Sequence, residues 1–259
     1  MVSESLVFIL ASFATGIITG LVGASAIVAF APIVLLFFNY DIFTLIAVSL
    51  ALDVFVSLAA FLAYKRYKHL DVNIGLYLSI LAVIGAIVGS LVSRNVSNTR
   101  LLGVTSLVTA FTGIILFRKK PDKKKEFHNL KGYSRTKFWV AIILSFFVGF
   151  LGGSLGAAGG VTILLLLIFV LDFEIHRAIG TSVFVMFFIA LFGAGAHIYS
   201  IGINQFQWGL LSLAVIGGVF GSLFSARLAN LLKEQNLNKL VGVILFVLGI
   251  VTFLHRIVL

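Results

Sequence analysis

The chain contains no cysteine in its 259 residues. Disulfides, thiolate metal sites and cysteine catalysis are therefore excluded. Charge is scarce as well: only 11% of residues are charged, against about 25% in a soluble domain. Acidic residues are the rarer sign, nine against nineteen Lys and Arg. The five histidines, His69, His128, His176, His197 and His255, are scattered, and none stands at HExxH-like spacing, so no metal site is expected. Nucleophile-elbow and Walker motifs are missing too. Neither an enzyme nor a pump with its own ATPase is expected, and no cofactor. Residues 1–13 lack a basic n-region. A cleaved signal peptide is not expected, and the first apolar run should insert and stay.

What the chain does have is hydrophobicity, 61% of residues with a mean hydropathy of +1.18. It comes in blocks, roughly 5–38, 42–64, 72–93, 101–117, 137–171, 178–199, 206–226 and 238–254. Most run about 17–23 residues, the length that crosses a hydrocarbon layer about 30 Å thick as one helix. Blocks 5–38 and 137–171 are too long for that. They also carry the glycine-rich stretches GIITGLVGASAIVAFAP (Gly16 to Pro32) and GFLGGSLGAAGGVTILLLL (Gly149 to Leu167).

These stretches belong to an internal repeat. Gly16, Gly20 and Gly23 match Gly149, Gly153 and Gly156 at an offset of 133, which also pairs Asp41 with Glu174, Ser49 with Ser182, and Tyr64 with His197. Gly89-Ser90 matches Gly221-Ser222, and Gly103-Val104 matches Gly242-Val243. Three regions follow: a first transmembrane repeat at 1–117, a basic linker at 118–137 with nine Lys and Arg, and a second repeat at 138–259. A +10 net charge could suggest nucleic acid. Its concentration in the linker reads instead as a cytoplasmic topology signal, with attraction to anionic lipid heads as an added effect.

Positive charge also decides how the long blocks run. If each crosses once, Lys and Arg divide 13 inside to 6 outside. If each enters and returns as a hairpin, Arg177, Arg227, Lys233 and Lys239 move inside, Arg256 moves out, and the division is 16 to 3. The hairpin arrangement wins and makes the two halves inverted. The expected fold is an all-α polytopic membrane protein. It has two inverted-topology repeats of four apolar blocks, the first block of each a glycine-broken hairpin, with up to ten helical segments. Both termini should lie outside the cell membrane.

Glycine supplies the turn conformations and close backbone approach a hairpin needs. Its legs, 14–17 residues each, would measure about 21–26 Å. The tips, Gly23–Ala26 and Gly156–Gly160, should therefore lie inside the membrane, where non-helical backbone survives only if buried or lining a wet cavity. Broken helices at matching places in two repeats point to a transporter's substrate site. Each returning leg starts at a tip with free N–H groups and a partial positive charge, a place for an anion. Candidate binding residues are Gly23, Ala24, Ser25, Ala26, Gly156, Ala157, Ala158, Gly159 and Gly160. The other GxxxG pairs, 85–89 and 217–221, read as helix-packing faces.

Asp53 sits mid-block with no basic residue within eleven positions. An intramembrane carboxylate is costly and is read as a proton-coupling candidate; the alternative is a structural Asp facing another helix. Met186 holds the matching position, so any coupling is asymmetric. Ser49, Thr181 and Ser182 begin the second block of each half and could line the site, or bond back to their own helix. Tyr64 and His197 close their spans and are expected as interfacial anchors. Arg94 and Arg227 should snorkel.

Together these residues resemble the sulfite exporter TauE/SafE family, also called the toluene-sulfonate uptake permease family. The resemblance covers nearly the whole chain. It rests on Gly16, Gly20, Gly23 and Pro32 followed by Ala47-Val48-Ser49. In the second half it rests on Gly149, Gly153, Gly156, Gly159 and Gly160 followed by Ala178 to Ser182, with the segment HIYSIGINQFQWG after it. The sequence departs from the pattern at Ala24, Ser25 and Ala26, where glycines are usual, and at Leu165, often proline. The resemblance implies a secondary transporter of sulfite, a sulfonate or a related sulfur oxyanion. Expected partners are that anion, protons, the bilayer and further copies of the chain in a homo-oligomer, but no nucleic acid. The alternatives are a passive anion channel and a non-transporting membrane scaffold for a sulfur-metabolism partner.

Overall fold

A computed structural model describes residues 4–38, 40–92, 110–111, 114–115, 117–118, 135–156 and 159–258. Apart from short pieces, block 101–117 and linker 118–137 lie outside the described residues. Among the described residues the fold is all helical: α1 (Glu4–Val22), α2 (Ile27–Phe37), α3 (Ile42–Arg66), α4 (Val72–Val92), α5 (Arg135–Leu155), α6 (Gly159–Phe169), α7 (Ile175–Ile201), α8 (Trp208–Leu231) and α9 (Glu234–Val258). Six of them, α1, α3, α4, α5, α7 and α8, are long and apolar enough to cross a membrane. The protein is a multi-pass membrane protein.

Both long blocks double back. Glu4, at the start of α1, accepts from the Tyr40 hydroxyl just beyond α2. Lys137, near the start of α5, pairs with Asp172 beyond α6 at 2.6 Å. The legs are unequal, which differs from the 14–17 residues expected. The outgoing legs have 19 and 21 residues and the returning legs 11 each. At the helical rise that is about 28–32 Å out and about 17 Å back. The outgoing helices run on through Gly16, Gly20, Gly149 and Gly153 because those glycines face a neighbouring helix backbone. A Cβ on Gly16 would strike the Gly218 carbonyl, and one on Gly149 the Ala82 carbonyl. Each helix stops where a glycine turns left-handed, Gly23 at φ +71° and Gly156 at φ +63°. The Gly23 N–H closes the end by donating to Thr19 O at 2.7 Å.

Helix packing runs parallel to the offset of 133 seen in the sequence. α1 packs on α8, and their repeat mates α5 and α4 pack on each other. In both pairs the helices are parallel: Gly217 and Gly221 meet the carbonyls of Ile9 and Phe13, while Gly149 and Gly153 meet those of Ala82 and Ala86. Gly85 and Gly89 likewise seat on Phe146 and Phe150, so 85–89 and 217–221 are packing faces. α3 and its mate α7 lie together at the centre. They run antiparallel, Gly180 beside Tyr64 at one end and Gly193 beside Leu50 towards the other.

The small residues face in and the large ones out. α8 buries Gly217, Gly218, Gly221, Ser222 and Ser225 while Phe220 and Phe224 are 67% and 62% exposed. That inverts the pattern of a soluble helix and suits a lipid surround. At one end of the bundle Asp71 caps α4 through the Ile74 N–H at 3.1 Å and pairs with Arg177 of α7 at 2.6 Å. His69 meets Asn230 at 2.6 Å, and His176 meets the Leu232 carbonyl at 3.0 Å. Loops 67–71, 172–175 and 232–233 therefore share one face. Asp41 caps α3 at the opposite end, its side chain accepting from the Thr44 N–H at 3.1 Å.

Candidate functional site: two glycine tips in contact

The helix breaks are 23–26 and 156–158, and they meet. A Cβ on Gly160 would run into the Gly23 carbonyl, with its carbon 3.0 Å away and Met186 Sδ at 2.5 Å. Ser25 reaches across from the first tip to the Gly156 carbonyl of the second. The meeting point is flanked by the two central helices, α3 and α7. Gly23 lies over Ser182 of α7, whose Oγ would be 2.7 Å from a Cβ there, and Gly156 lies over Ile46 of α3 at 3.0 Å. Ala24, Ser25 and Ala26 are all buried. Ala157 and Ala158 lie outside the described residues.

Each tip is fixed by side chains that take the carbonyls a helix end leaves unpaired. Thr19 donates to Ala24 O at 2.7 Å. Tyr64 donates to Gly20 O at 2.9 Å, and His197 Nε2 donates to Gly153 O at 2.9 Å. Since a carbonyl only accepts, Nε2 carries the hydrogen. Tyr64 and His197 are each 0% exposed. They are not interfacial anchors, because their polar ends turn inward to the broken helices instead of outward to headgroups. The sequence held the signal: both donors and both carbonyls recur at offset 133.

Asp53 stands beside the first tip. Its Oδ1 accepts from the Ala26 N–H at 2.8 Å and its Oδ2 contacts the Ser25 hydroxyl. The carboxylate thus sits on the positive end of α2. Ser57, one turn on, bonds the Asp53 carbonyl. No charged side chain among the described residues pairs with Asp53. Ser25 has one hydroxyl hydrogen and two acceptors before it, Asp53 Oδ2 and Gly156 O.

The remaining candidates separate. Ser182 lies at the first tip but donates back to Ile179 O at 2.9 Å. Thr181 turns to the end of the bundle, where it accepts from the Asp71 N–H at 3.1 Å. Ser49 is 0% exposed and its Oγ has no hydrogen-bond partner. It shares a face of α3 with Ile46 and Asp53, since at 100° per residue all three fall within an arc of about 60°. Gly159 packs loosely, Ile189 being 3.6 Å from where a Cβ would sit.

The sulfite exporter TauE/SafE family matches residues 8–252. The probable membrane transporter protein YunE of Bacillus subtilis (strain 168) is 26% identical over 217 residues, covering 79% of this chain and 78% of the relative. The probable membrane transporter protein YdhB of the same organism is 26% identical over 233 residues, covering 88% and 92%. No solved structure matches the chain. The match across nearly the full length establishes that the chain belongs to the sulfite exporter TauE/SafE family.

Proposed function

We propose that the protein is a secondary transporter of a small anion, a sulfite, organosulfonate or related sulfur oxyanion, working by alternating access around the paired tips. The observation that carries this reading is the contact of Gly160 with the Gly23 carbonyl. Two half-length helices begin at one buried place, and transporters bind ions and anionic substrates at such broken helices. The halves are inverted repeats, a reading supported by the antiparallel course of repeat mates α3 and α7. The face holding loops 67–71, 172–175 and 232–233 is cytoplasmic together with the linker, and both termini lie outside the cell membrane. It is the face that carries Lys65, Arg66, Lys68, Arg177 and Lys233.

Asp53 couples transport to protons through Ser25. When Asp53 is ionised, the Ser25 hydrogen goes to the carboxylate and the Gly156 carbonyl loses its donor. When Asp53 carries a proton, the acid donates to Ser25 Oγ, and Ser25 donates to Gly156 O. Proton occupancy at one tip is then felt at the other.

The test is charge movement and radiolabelled uptake in proteoliposomes with sulfite, organosulfonates, sulfate and chloride at two pH values. Transport of one sulfur anion that is lost in Gly160→Leu is the expected result. Flat records in both assays for every anion would remove the transporter reading in favour of a scaffold, and unitary currents without counter-transport would replace it with a channel.

A further inference from the structure

Asp53 and Met186 hold matching positions in the two halves, and that difference decides what each tip can bind. At the first tip the chain supplies its own anion. The Ala26 N–H and the Ser25 hydroxyl are both turned to the Asp53 carboxylate, so the positive end of α2 is occupied. At the second tip the matching side chain is the Met186 thioether, beside Gly160. No acceptor among the described residues takes the N–H groups of Gly159 and Gly160, which open α6 and so lack partners within it.

Ser49 supplies the independent observation. Its repeat mate Ser182 returns its hydroxyl to its own helix at Ile179. Ser49 makes no such bond and stays fully buried without a partner, a costly condition for a hydroxyl. It lies on the α3 face between Ile46, which meets Gly156, and Asp53, which reaches Gly156 through Ser25. That face is turned to the second tip.

We infer that each chain holds one anion, at the second tip alone, with its oxygens accepting from the Gly159 and Gly160 N–H groups and from the Ser49 hydroxyl, while Asp53 fills the corresponding place at the first tip. The inference rests on the transporter reading and narrows it. It also sets the ligand's charge. Asp53 is linked through Ser25 to the Gly156 carbonyl of the same tip, and like charges repel strongly away from water. A monoanion such as a sulfonate is favoured over a dianion such as sulfate.

Bromide is the probe, read by anomalous scattering from crystals of the full chain. The expected map has one peak, at the start of α6 within reach of Gly159, Gly160 and Ser49 Oγ, and none at the start of α2. Methanesulfonate displaces it and sulfate does not. Ser49→Ala weakens bromide binding about five- to tenfold, the worth of one hydrogen bond. Asp53→Ala adds a second peak at Ala26. A wild-type peak at α2, at both tips or at neither overturns the inference, and so does displacement by sulfate. A peak of undiminished occupancy in Ser49→Ala means an adventitious ion only and overturns it equally. The wild-type map decides even where Asp53→Ala does not fold. Flux separates the two readings: transport with the peak elsewhere sinks the inference alone, and a peak in place without any flux sinks transport alone.

Discussion

Tyr64 and His197 stand 133 residues apart and do the same thing in each half. Tyr64 donates to Gly20 O and His197 to Gly153 O, both at 2.9 Å, and these carbonyls are themselves 133 residues apart. A helix that stops inside a membrane leaves its last carbonyls unpaired, and lipid cannot satisfy them. A long side chain from the neighbouring span does so instead. The phenol and the imidazole each have one hydrogen to give there, although the imidazole also leaves His197 Nδ1 buried without a partner among the described residues.

Tyr64→Phe keeps the ring and leaves Gly20 O without that donor. It should cost about 1–2 kcal/mol, the penalty for one lost buried partner. His197→Phe should cost about the same, softened by Ser90, whose hydroxyl also reaches Gly153 O at 3.1 Å. Thermal unfolding of the purified variants in detergent checks both. An unchanged midpoint for Tyr64→Phe would mean that water or a shifted side chain replaces the phenol.

Gly159 and Gly160 are neighbours with opposite tolerances. Gly160→Ala meets the Gly23 carbonyl and the Met186 sulfur. Overpacking of that kind costs about 1–3 kcal/mol, and here it also parts the tips, so uptake should be lost. Gly159→Ala makes only ordinary contacts, 3.6 Å or more, and should change stability by no more than about 1 kcal/mol and keep its uptake. Parallel flux and unfolding measurements on the pair test this. Equal loss of uptake in both would show that backbone freedom matters at the tip, not the space beside it.

Asp53→Asn should transport with a flattened pH profile, since Asn retains an acceptor for the Ala26 N–H but exchanges no proton. Ser25→Ala should weaken uptake at every pH, because it removes the link between Asp53 and Gly156. The readout is initial uptake rate from about pH 5 to pH 8, the range in which folded proteins tend to be most stable. A pH profile in Asp53→Asn that follows the parent chain would assign proton coupling to another group.

The chain has no cysteine, so single cysteines report sidedness without background. Lys68→Cys and Lys233→Cys should react with an impermeant maleimide only after cells are opened, and Gln205→Cys should react on intact cells. The charge asymmetry predicts this orientation. Labelling of Lys68→Cys and Gln205→Cys from the same side would be incompatible with the helix course described above.

Composition and periodicity alone determined that the protein is a polytopic membrane protein and where its two long blocks break. Those are local properties. Block length and charge distribution report the membrane, and glycine reports where a left-handed turn or a backbone contact can occur, as at Gly23 and Gly156. The doubled-back hairpins were legible for the same reason, from loop charge. Tertiary structure alone decided how buried polar groups are partnered. Sequence spacing put Thr181 and Ser182 together at a candidate site, yet Thr181 answers to Asp71 and Ser182 lies under Gly23. It made Tyr64 and His197 headgroup anchors, while the fold turns them onto helix ends. It left Asp53 unpartnered, while the fold sets it on the Ala26 amide, 27 residues away. A buried hydrogen bond depends on direction and depth between distant segments, and neither is written in the residues adjacent along the chain.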